Sequence, residues 1–375
     1  MRTFPDALTF CVSAATSALA GRRYLSCLWE LTYRCTARCG FCNYWRVEPR
    51  RGSELALEQI REGLDRVHAY GCRLVNFTGG EPTLRDDLEP IVAHASGLGM
   101  WTSVVTNGSL LTRERVRRLR DAGLDNLLVS LDSVSPAAHD EQRGVAGSFA
   151  RVEACTHWIR EEFLRGHRTG GIMSVISRRN SAEVGDLVRF ARERGIFVLF
   201  QPYHANKTGD PNPVPHLSAP LMRQLLSSPG GPRTVLNSRR YLRGLDRATI
   251  SQERCPCHAG QKYFSVDPFG ELHPCVDLPA VGHLLTDEPT VVRSRAAQEM
   301  VAGCRGCWYC FRGEADTSLS FTGCLEKVSL GLAVLRHNLS LGFETSTRGS
   351  TTAFPRSAGA GDASDPRAVD RAPHP

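Results

Sequence analysis

The order of apolar and amphipathic segments between residues 25 and 200 constrains the fold of this 375-residue chain most strongly. Short apolar runs, each predicted to be a strand, alternate with loops and with stretches of helical periodicity. The predicted strands are 26–33, 73–77, 101–105, 127–131, 172–176 and 196–200. Alternation at this spacing predicts a parallel sheet with helices outside it. Six such units predict an α/β fold, a partial (β/α)6 TIM-like barrel.

The rest of the chain differs in composition from this repeat. We interpret it as an N-terminal helix, the barrel, a linker with short helices, a cysteine-rich region and a disordered tail, over residues 1–22, 23–205, 206–250, 251–344 and 345–375. The N-terminal segment is predicted to pack on the barrel or to rest weakly on a membrane surface. A signal peptide is the less favoured alternative.

Charge and hydropathy argue against two classes of partner. The formal net charge of +7 comes almost entirely from Arg, and no block of like charge resembles a nucleic-acid-binding arm. No apolar run approaches the roughly 20 residues of a membrane span. Ten of the 14 cysteines fall in two groups with ligand-like gaps, which favours metal binding in a reducing cytoplasm.

Three cysteines follow the first predicted strand, where a barrel of this kind carries its chemistry. Cys35, Cys39 and Cys42 could ligate three irons of a [4Fe–4S] cluster and leave the fourth iron for a small chelating ligand. A closed zinc site needs four nearby ligands, and no fourth Cys or His adjoins this loop. A redox Cys-x-x-Cys pair would leave Cys35 unexplained. The spacing therefore favours an iron–sulfur site.

Polar and glycine residues follow the next three predicted strands. Two glycines would let a ligand approach the backbone closely, and free amides could bind a polar group. Each segment alone is ordinary turn chemistry, but together they predict a ligand site at one mouth of the barrel. These residues are Gly79, Gly80, Glu81 and Pro82 after strand two, Thr106 and Asn107 after strand three, and Ser130 and Asp132 after strand four.

With these motifs, residues 25–200 resemble the radical S-adenosylmethionine (SAM) superfamily. The Cys-x3-Cys-x-aromatic-Cys loop is present in full, with Phe41 as the aromatic residue. By this resemblance, the segment Gly79–Pro82 corresponds to the loop that binds the methionyl part of SAM. Ser130 and Asp132 fall where the family commonly contacts the SAM ribose, and Arg143 resembles the residue that helps hold the SAM carboxylate.

The resemblance implies an enzyme and its cofactors. The open iron would chelate the amino and carboxylate groups of SAM, and one-electron reduction would cleave the sulfonium. The resulting 5′-deoxyadenosyl radical would abstract a substrate hydrogen atom. An electron donor such as flavodoxin or ferredoxin is implied as a partner.

Seven cysteines form the C-terminal group: Cys255, Cys257, Cys275, Cys304, Cys307, Cys310 and Cys324. The spacing Cys304-x2-Cys307-x2-Cys310 is typical of iron–sulfur ligands and suits three corners of one cluster. Residues 262–274 are predicted to form a hairpin with its turn at 267–270. The region resembles SPASM or twitch domains, which implies one or two auxiliary clusters. A structural zinc site remains the alternative.

Auxiliary-cluster relatives often modify peptides or proteins, and this implies a peptide or protein substrate. A small-molecule enzyme of a cofactor pathway, such as molybdopterin or haem synthesis, is the second hypothesis. A non-catalytic iron–sulfur or zinc scaffold is the third.

Overall fold

The computed structural model describes residues 26–46, 53–205, 208–210, 234–249, 257–304, 306–317 and 329–341. The predicted N-terminal helix over 1–22, the tail over 345–375 and two of the seven C-terminal cysteines, Cys255 and Cys324, lie outside these residues, as does most of the predicted linker. Within the part of the chain that is described, no helix is long and apolar enough to cross a membrane.

Within the described residues, nine strands form one sheet in the order β6-β5-β4-β3-β2-β1-β7-β8-β9. The first six confirm the predicted α/β partial barrel, because each pairs in parallel with its neighbour. The strands are β1 Ser26–Thr32, β2 Leu74–Gly79, β3 Trp101–Thr106, β4 Asn126–Ser130, β5 Thr169–Ile176, β6 Phe197–Pro202, β7 Tyr263–Val266, β8 Glu271–His273 and β9 Gly282–His283.

Helices connect and cover these strands. They are α1 Leu57–Ala69, α2 Leu88–Gly97, α3 Arg113–Asp121, α4 Pro136–Arg143, α5 Ser148–Trp158, α6 Val184–Glu193, α7 Arg239–Thr249, α8 Arg295–Gly303 and α9 Cys310–Thr317, and residues 329–341 form a last helix, α10. Helix α3 is capped at its start, because the Thr112 hydroxyl accepts a hydrogen bond from the Arg115 amide. Helix α5 continues as one π-helical turn over Ile159–Phe163.

The sheet continues beyond the six predicted strands. Strand β7 pairs in parallel with β1 over Ser26–Trp29, so the cysteine-rich region joins the barrel sheet directly. The predicted hairpin is confirmed: β7 and β8 are antiparallel, and Gly270 at the turn has a φ of +86°. The Asp267 carboxylate closes this turn by accepting from the amides of Phe269 and Glu271.

Strand β1 lies between β2 and β7 and is buried along most of its length. Trp29 on this strand is fully buried and packs beside Gly63 of α1. A Cβ atom at Gly63 would lie 2.7 Å from the Trp29 ring, so the close approach of α1 requires glycine there. The loop that follows β1 is therefore held on a rigid central strand.

Candidate functional site

The carboxyl ends of β1 to β6 open into one cleft of about 1000 Å³. Most of the predicted site residues line it, as expected for loops that follow parallel strands. These are Cys35, Cys39, Phe41, Cys42, Gly79, Gly80, Thr106, Asn107, Ser130 and Arg143. Glu81, Pro82 and Asp132 are buried beside the cleft and do not line it.

The cysteine loop is attached to the end of α4 through its backbone. The amide of Arg38 donates to the carbonyl of Arg143 at 3.0 Å, and the amide of Gly40 donates to the carbonyl of Gln142 at 3.3 Å. Gly144 has a φ of +64°, and a Cβ atom there would lie 2.8 Å from the Arg38 carbonyl oxygen. Glycine at 144 therefore permits the close approach of helix and loop.

Nitrogen donors point at two of the three sulfurs. The Ala37 amide donates to Cys35 Sγ at 3.4 Å, and the side-chain amide of Asn107 approaches the same sulfur at 3.8 Å. Arg143 Nη1 lies 3.8 Å from Cys39 Sγ. Burial raises the pKa of the Cys35 thiol to about 11 and also raises the pKa of Cys39. Such donors stabilise thiolates in a site that otherwise disfavours them.

The separation of the thiols suits a cluster better than a single zinc ion. Zn–S bonds of about 2.3 Å hold thiolates about 3.8 Å apart. Among the described residues, no three thiols have their sulfurs within 4.8 Å of one another. A four-iron cube, with each thiolate on a different iron, requires the wider spacing. The cleft also offers a buried donor without a partner in the described chain, Arg143 Nε.

The segment after β2 differs in detail from the expectation of free amides and open space. The Gly80 amide donates to the Thr32 carbonyl at 2.7 Å, and the Glu81 amide donates to the Arg34 carbonyl at 2.8 Å. A Cβ atom at Gly80 would lie 2.2 Å from the Arg34 carbonyl oxygen. The glycines here allow backbone to pack on backbone, and the Gly80 and Glu81 amides are used within the protein.

Glu81 connects the loops that follow β2 and β3. Its carboxylate is fully buried and accepts from the Thr106 hydroxyl at 2.6 Å, the Asn107 amide at 2.7 Å and the Thr83 amide at 3.0 Å. Each of these protein donors would lose its acceptor if Glu81 turned toward a ligand. Glu81 therefore fixes the positions of Thr106 and Asn107 at the cleft.

Asp132 is likewise committed to protein partners. Its carboxylate is fully buried, accepts from the Val175 amide at 2.9 Å and pairs with Arg143 Nη2 at 2.6 Å. The sequence predicted a contact between Asp132 and a ligand sugar. In the structure Asp132 holds Arg143, which reaches the cleft, and the contact of Asp132 with a ligand sugar stays a prediction.

Four of the C-terminal thiols line a second, smaller cavity of about 390 Å³: Cys257, Cys275, Cys304 and Cys307. Three of them have polar neighbours within reach of sulfur. The Tyr263 hydroxyl lies 3.1 Å from Cys257, the Gly306 amide 3.4 Å from Cys304, and Arg312 Nη1 3.7 Å from Cys307.

Cys310 is not among the residues that line this cavity. Its sulfur accepts from the Asn237 side-chain amide at 3.7 Å, and its own amide donates to Gln201 at 3.3 Å, against β6. The sequence grouped Cys304, Cys307 and Cys310 by spacing alone. Helix α9 begins at Cys310 and turns this side chain into the main core.

The two cavities share a wall that the sequence did not indicate. Cys307 lines the second cavity, while Tyr309, two residues later, lines the cleft. The Trp308 amide between them donates to His204 Nε2 at 2.7 Å, and the rings of His204 and Tyr309 meet edge to face at 5.0 Å. Burial lowers the pKa of His204 to about 4. No spacing rule joins residues about 100 positions apart, so only the fold reveals this contact.

Comparison with known proteins agrees with the geometry of the cleft. The model of the Radical SAM superfamily matches residues 29–191, which contain the cysteine loop and the strand ends described above. Residues 29–191 of the chain therefore belong to the radical SAM superfamily. The C-terminal region lies beyond this match and resembles the SPASM or twitch type. The family implies a [4Fe–4S] cluster and SAM as cofactors.

Two curated relatives show how far the likeness extends. The chain is 28% identical over 262 residues to a PqqA peptide cyclase of Bradyrhizobium diazoefficiens, covering 67% of this chain and 66% of that protein. It is 31% identical over 181 residues to an AdoMet-dependent heme synthase of Methanosarcina barkeri, covering 48% of this chain and 50% of that protein. The chain thus spans just under two thirds of the cyclase and half of the synthase.

A solved structure has the same fold. Streptococcus suis SuiB, crystallised with its precursor peptide SuiA, aligns with a TM-score of 0.56 and 16% identity over 76% of this chain and 67% of that chain. This likeness supports the architecture described above.

We predict that Glu81→Gln destabilises the protein by about 1–3 kcal/mol, because the new amide cannot accept from all the buried donors around Glu81. The free energy of unfolding, measured in urea under anaerobic conditions, tests this. Glu141→Gln is the matched control, because Glu141 makes only an exposed ion pair with Arg179. Equal effects of the two changes would contradict the role given to Glu81.

Proposed function

We propose that this radical SAM enzyme modifies a peptide or protein, and that Cys35, Cys39 and Cys42 ligate its SAM-binding cluster. The observation that carries the ligand assignment is that the three thiols converge on one cleft with the ends of β2, β3 and β4. When bound, the cluster and SAM supply a 5′-deoxyadenosyl radical for hydrogen abstraction.

The residues of the cleft have separable tasks in this proposal. Gly79 and Gly80 form the floor against which SAM lies, and Thr106, Asn107 and Ser130 line its side. Glu81, Pro82 and Asp132 support these residues from behind, and Phe41 lies under the Arg143 guanidinium, 5.2 Å from it. Arg143 Nε is the buried donor that remains for the SAM carboxylate.

The far wall of the cleft is where a substrate would lie. Met173 and Val175 of β5 and the rings of Tyr203, His204 and Tyr309 line it. His204 Nε2 accepts from an amide, so the neutral ring carries its proton on Nδ1, which can donate to a substrate carbonyl. These side chains would exclude water from the radical chemistry.

For the second cavity we propose one auxiliary cluster ligated by Cys257, Cys275, Cys304 and Cys307. Four thiols satisfy all four irons of a [4Fe–4S] cluster and leave no iron open for substrate. Cys310 is outside this ligand set because its sulfur lies against Asn237. Cys255 and Cys324 lie outside the described residues, so a second auxiliary cluster there stays a prediction.

The likeness to the PqqA peptide cyclase favours a peptide substrate. The likeness to the AdoMet-dependent heme synthase supports the small-molecule alternative over a shorter part of the chain. In either case a low-potential reductant such as flavodoxin or ferredoxin is the partner. Two sets of free thiols suit a reducing compartment, so we propose the cytoplasm.

We predict that the reconstituted protein converts SAM to 5′-deoxyadenosine when reduced with dithionite, and that Cys39→Ala abolishes this. Two thiolates are too few to hold the cluster with one open iron. A pool of synthetic peptides should increase the yield of 5′-deoxyadenosine and should contain products of altered mass. Liquid chromatography with mass spectrometry measures both.

Cys72→Ala is the control. Cys72 is buried next to the start of β2, at the amino ends of the strands, whereas the cleft lies at their carboxyl ends. This variant should keep near wild-type cleavage. Near wild-type cleavage by Cys39→Ala would refute the ligand assignment. Turnover of porphyrin or pterin precursors but of no peptide would favour the small-molecule alternative.

A further prediction isolates the second cavity. With Cys35, Cys39 and Cys42 all changed to Ala, anaerobic reconstitution should leave about four irons and about four sulfides per chain. Adding Cys304→Ala and Cys307→Ala together should remove them, because two thiolates are too few to hold the cluster, whereas adding Cys310→Ala should not. Zinc without labile sulfide would make the region a structural zinc module, and loss of iron with Cys310→Ala would place Cys310 among the ligands.

A further inference from the structure

Arg143 makes more contacts with the cysteine loop than binding of SAM requires. Its side chain is 8% exposed, and its guanidinium pairs with Asp132 on one side. Nη1 approaches Cys39 Sγ at 3.8 Å on the other side, and the Arg143 carbonyl accepts from the Arg38 amide at 3.0 Å. One residue thus contacts a proposed cluster ligand through its side chain and the cluster loop through its backbone.

The charges of Arg143 and Asp132 lie in a fixed order relative to the Cys39 sulfur. The positive guanidinium lies between the sulfur of Cys39 and the carboxylate of Asp132, with the negative charge on the far side. Asp132 is fixed in turn by the Val175 amide of β5. Both charges are buried, where water screens them little and their effect on a neighbouring charge is large.

We propose that the Arg143–Asp132 pair sets the reduction potential of the SAM-binding cluster through Cys39. This rests on the proposed function of that cluster. Donors to ligand sulfurs and nearby charge are established levers on iron–sulfur potentials. Reduction adds one negative charge, so the guanidinium favours the reduced state and raises the potential, while the carboxylate opposes it. Arg143 and Asp132 are in this respect positioning residues.

The proposal predicts opposite shifts from the two partners. Arg143→Met removes the donor and the positive charge, so the midpoint potential should become more negative. Asp132→Asn keeps an oxygen for the Val175 amide and removes the opposing charge, so the potential should become less negative. Each shift should amount to about a tenfold change in the reduction equilibrium, about 59 mV for one electron. Arg143→Lys keeps the positive charge but lacks the two terminal nitrogens of the guanidinium. Its midpoint potential should lie between those of the wild type and Arg143→Met.

The experiment is a redox titration of the reconstituted holoenzyme without SAM, followed by electron paramagnetic resonance. The auxiliary cluster is an internal reference that should not move. Arg179→Met is the matched control. Arg179 makes an exposed ion pair with Glu141, which lies on α4 as Arg143 does. Its potential should equal that of the wild type.

Two results would overturn the proposal. One is an unchanged potential in Arg143→Met and Asp132→Asn while SAM binds more weakly, which would restrict Arg143 to the SAM carboxylate. The other is a shift of both variants in the same direction, as expected from general loosening of the loop. A wild-type protein that assembles no cluster at Cys35, Cys39 and Cys42 would instead refute the proposed function itself.

Discussion

Backbone contact between the ends of neighbouring strands is the constraint on which the rest of this structure depends. The segment after β2 packs directly on the segment after β1, where the Gly80 amide bonds to Thr32 and no side chain fits at Gly80. The Glu81 carboxylate extends this contact to the loop after β3. The cleft is therefore shaped by the protein alone, and a cofactor would enter a site whose walls are already positioned.

The same principle joins the two thiol cavities. Strand β7 pairs with β1. The β7–β8 hairpin before Cys275 is therefore hydrogen-bonded to the strand that leads to Cys35. On the opposite side, the segment Cys307–Cys310 lies against β6 through His204 and Gln201. A redox centre in the second cavity would be separated from the cleft by little more than this segment. The proximity fits a cofactor that exchanges electrons with the cleft.

The sequence predicts those parts of the protein that depend on local pattern. The six parallel strands and the hairpin at Asp267 are confirmed, because apolar periodicity and turn residues act within a few positions. The sequence predicts where a side chain lies better than it predicts which side chain it contacts. Asp132 is a residue type that often binds ligands, yet only the tertiary structure shows that it faces Arg143. His204 illustrates what spacing cannot reveal, because its partner Trp308 is about 100 residues away.

The three-cysteine loop is proposed to hold a cluster whose open iron binds SAM. Pulsed electron–nuclear double resonance of the reduced wild-type protein tests it most directly, with SAM isotopically labelled in its carboxylate oxygens and its amino nitrogen. We expect hyperfine coupling of both labels to one cluster, because both groups would chelate the same iron. Bound SAM without coupling of either label to any cluster would contradict it.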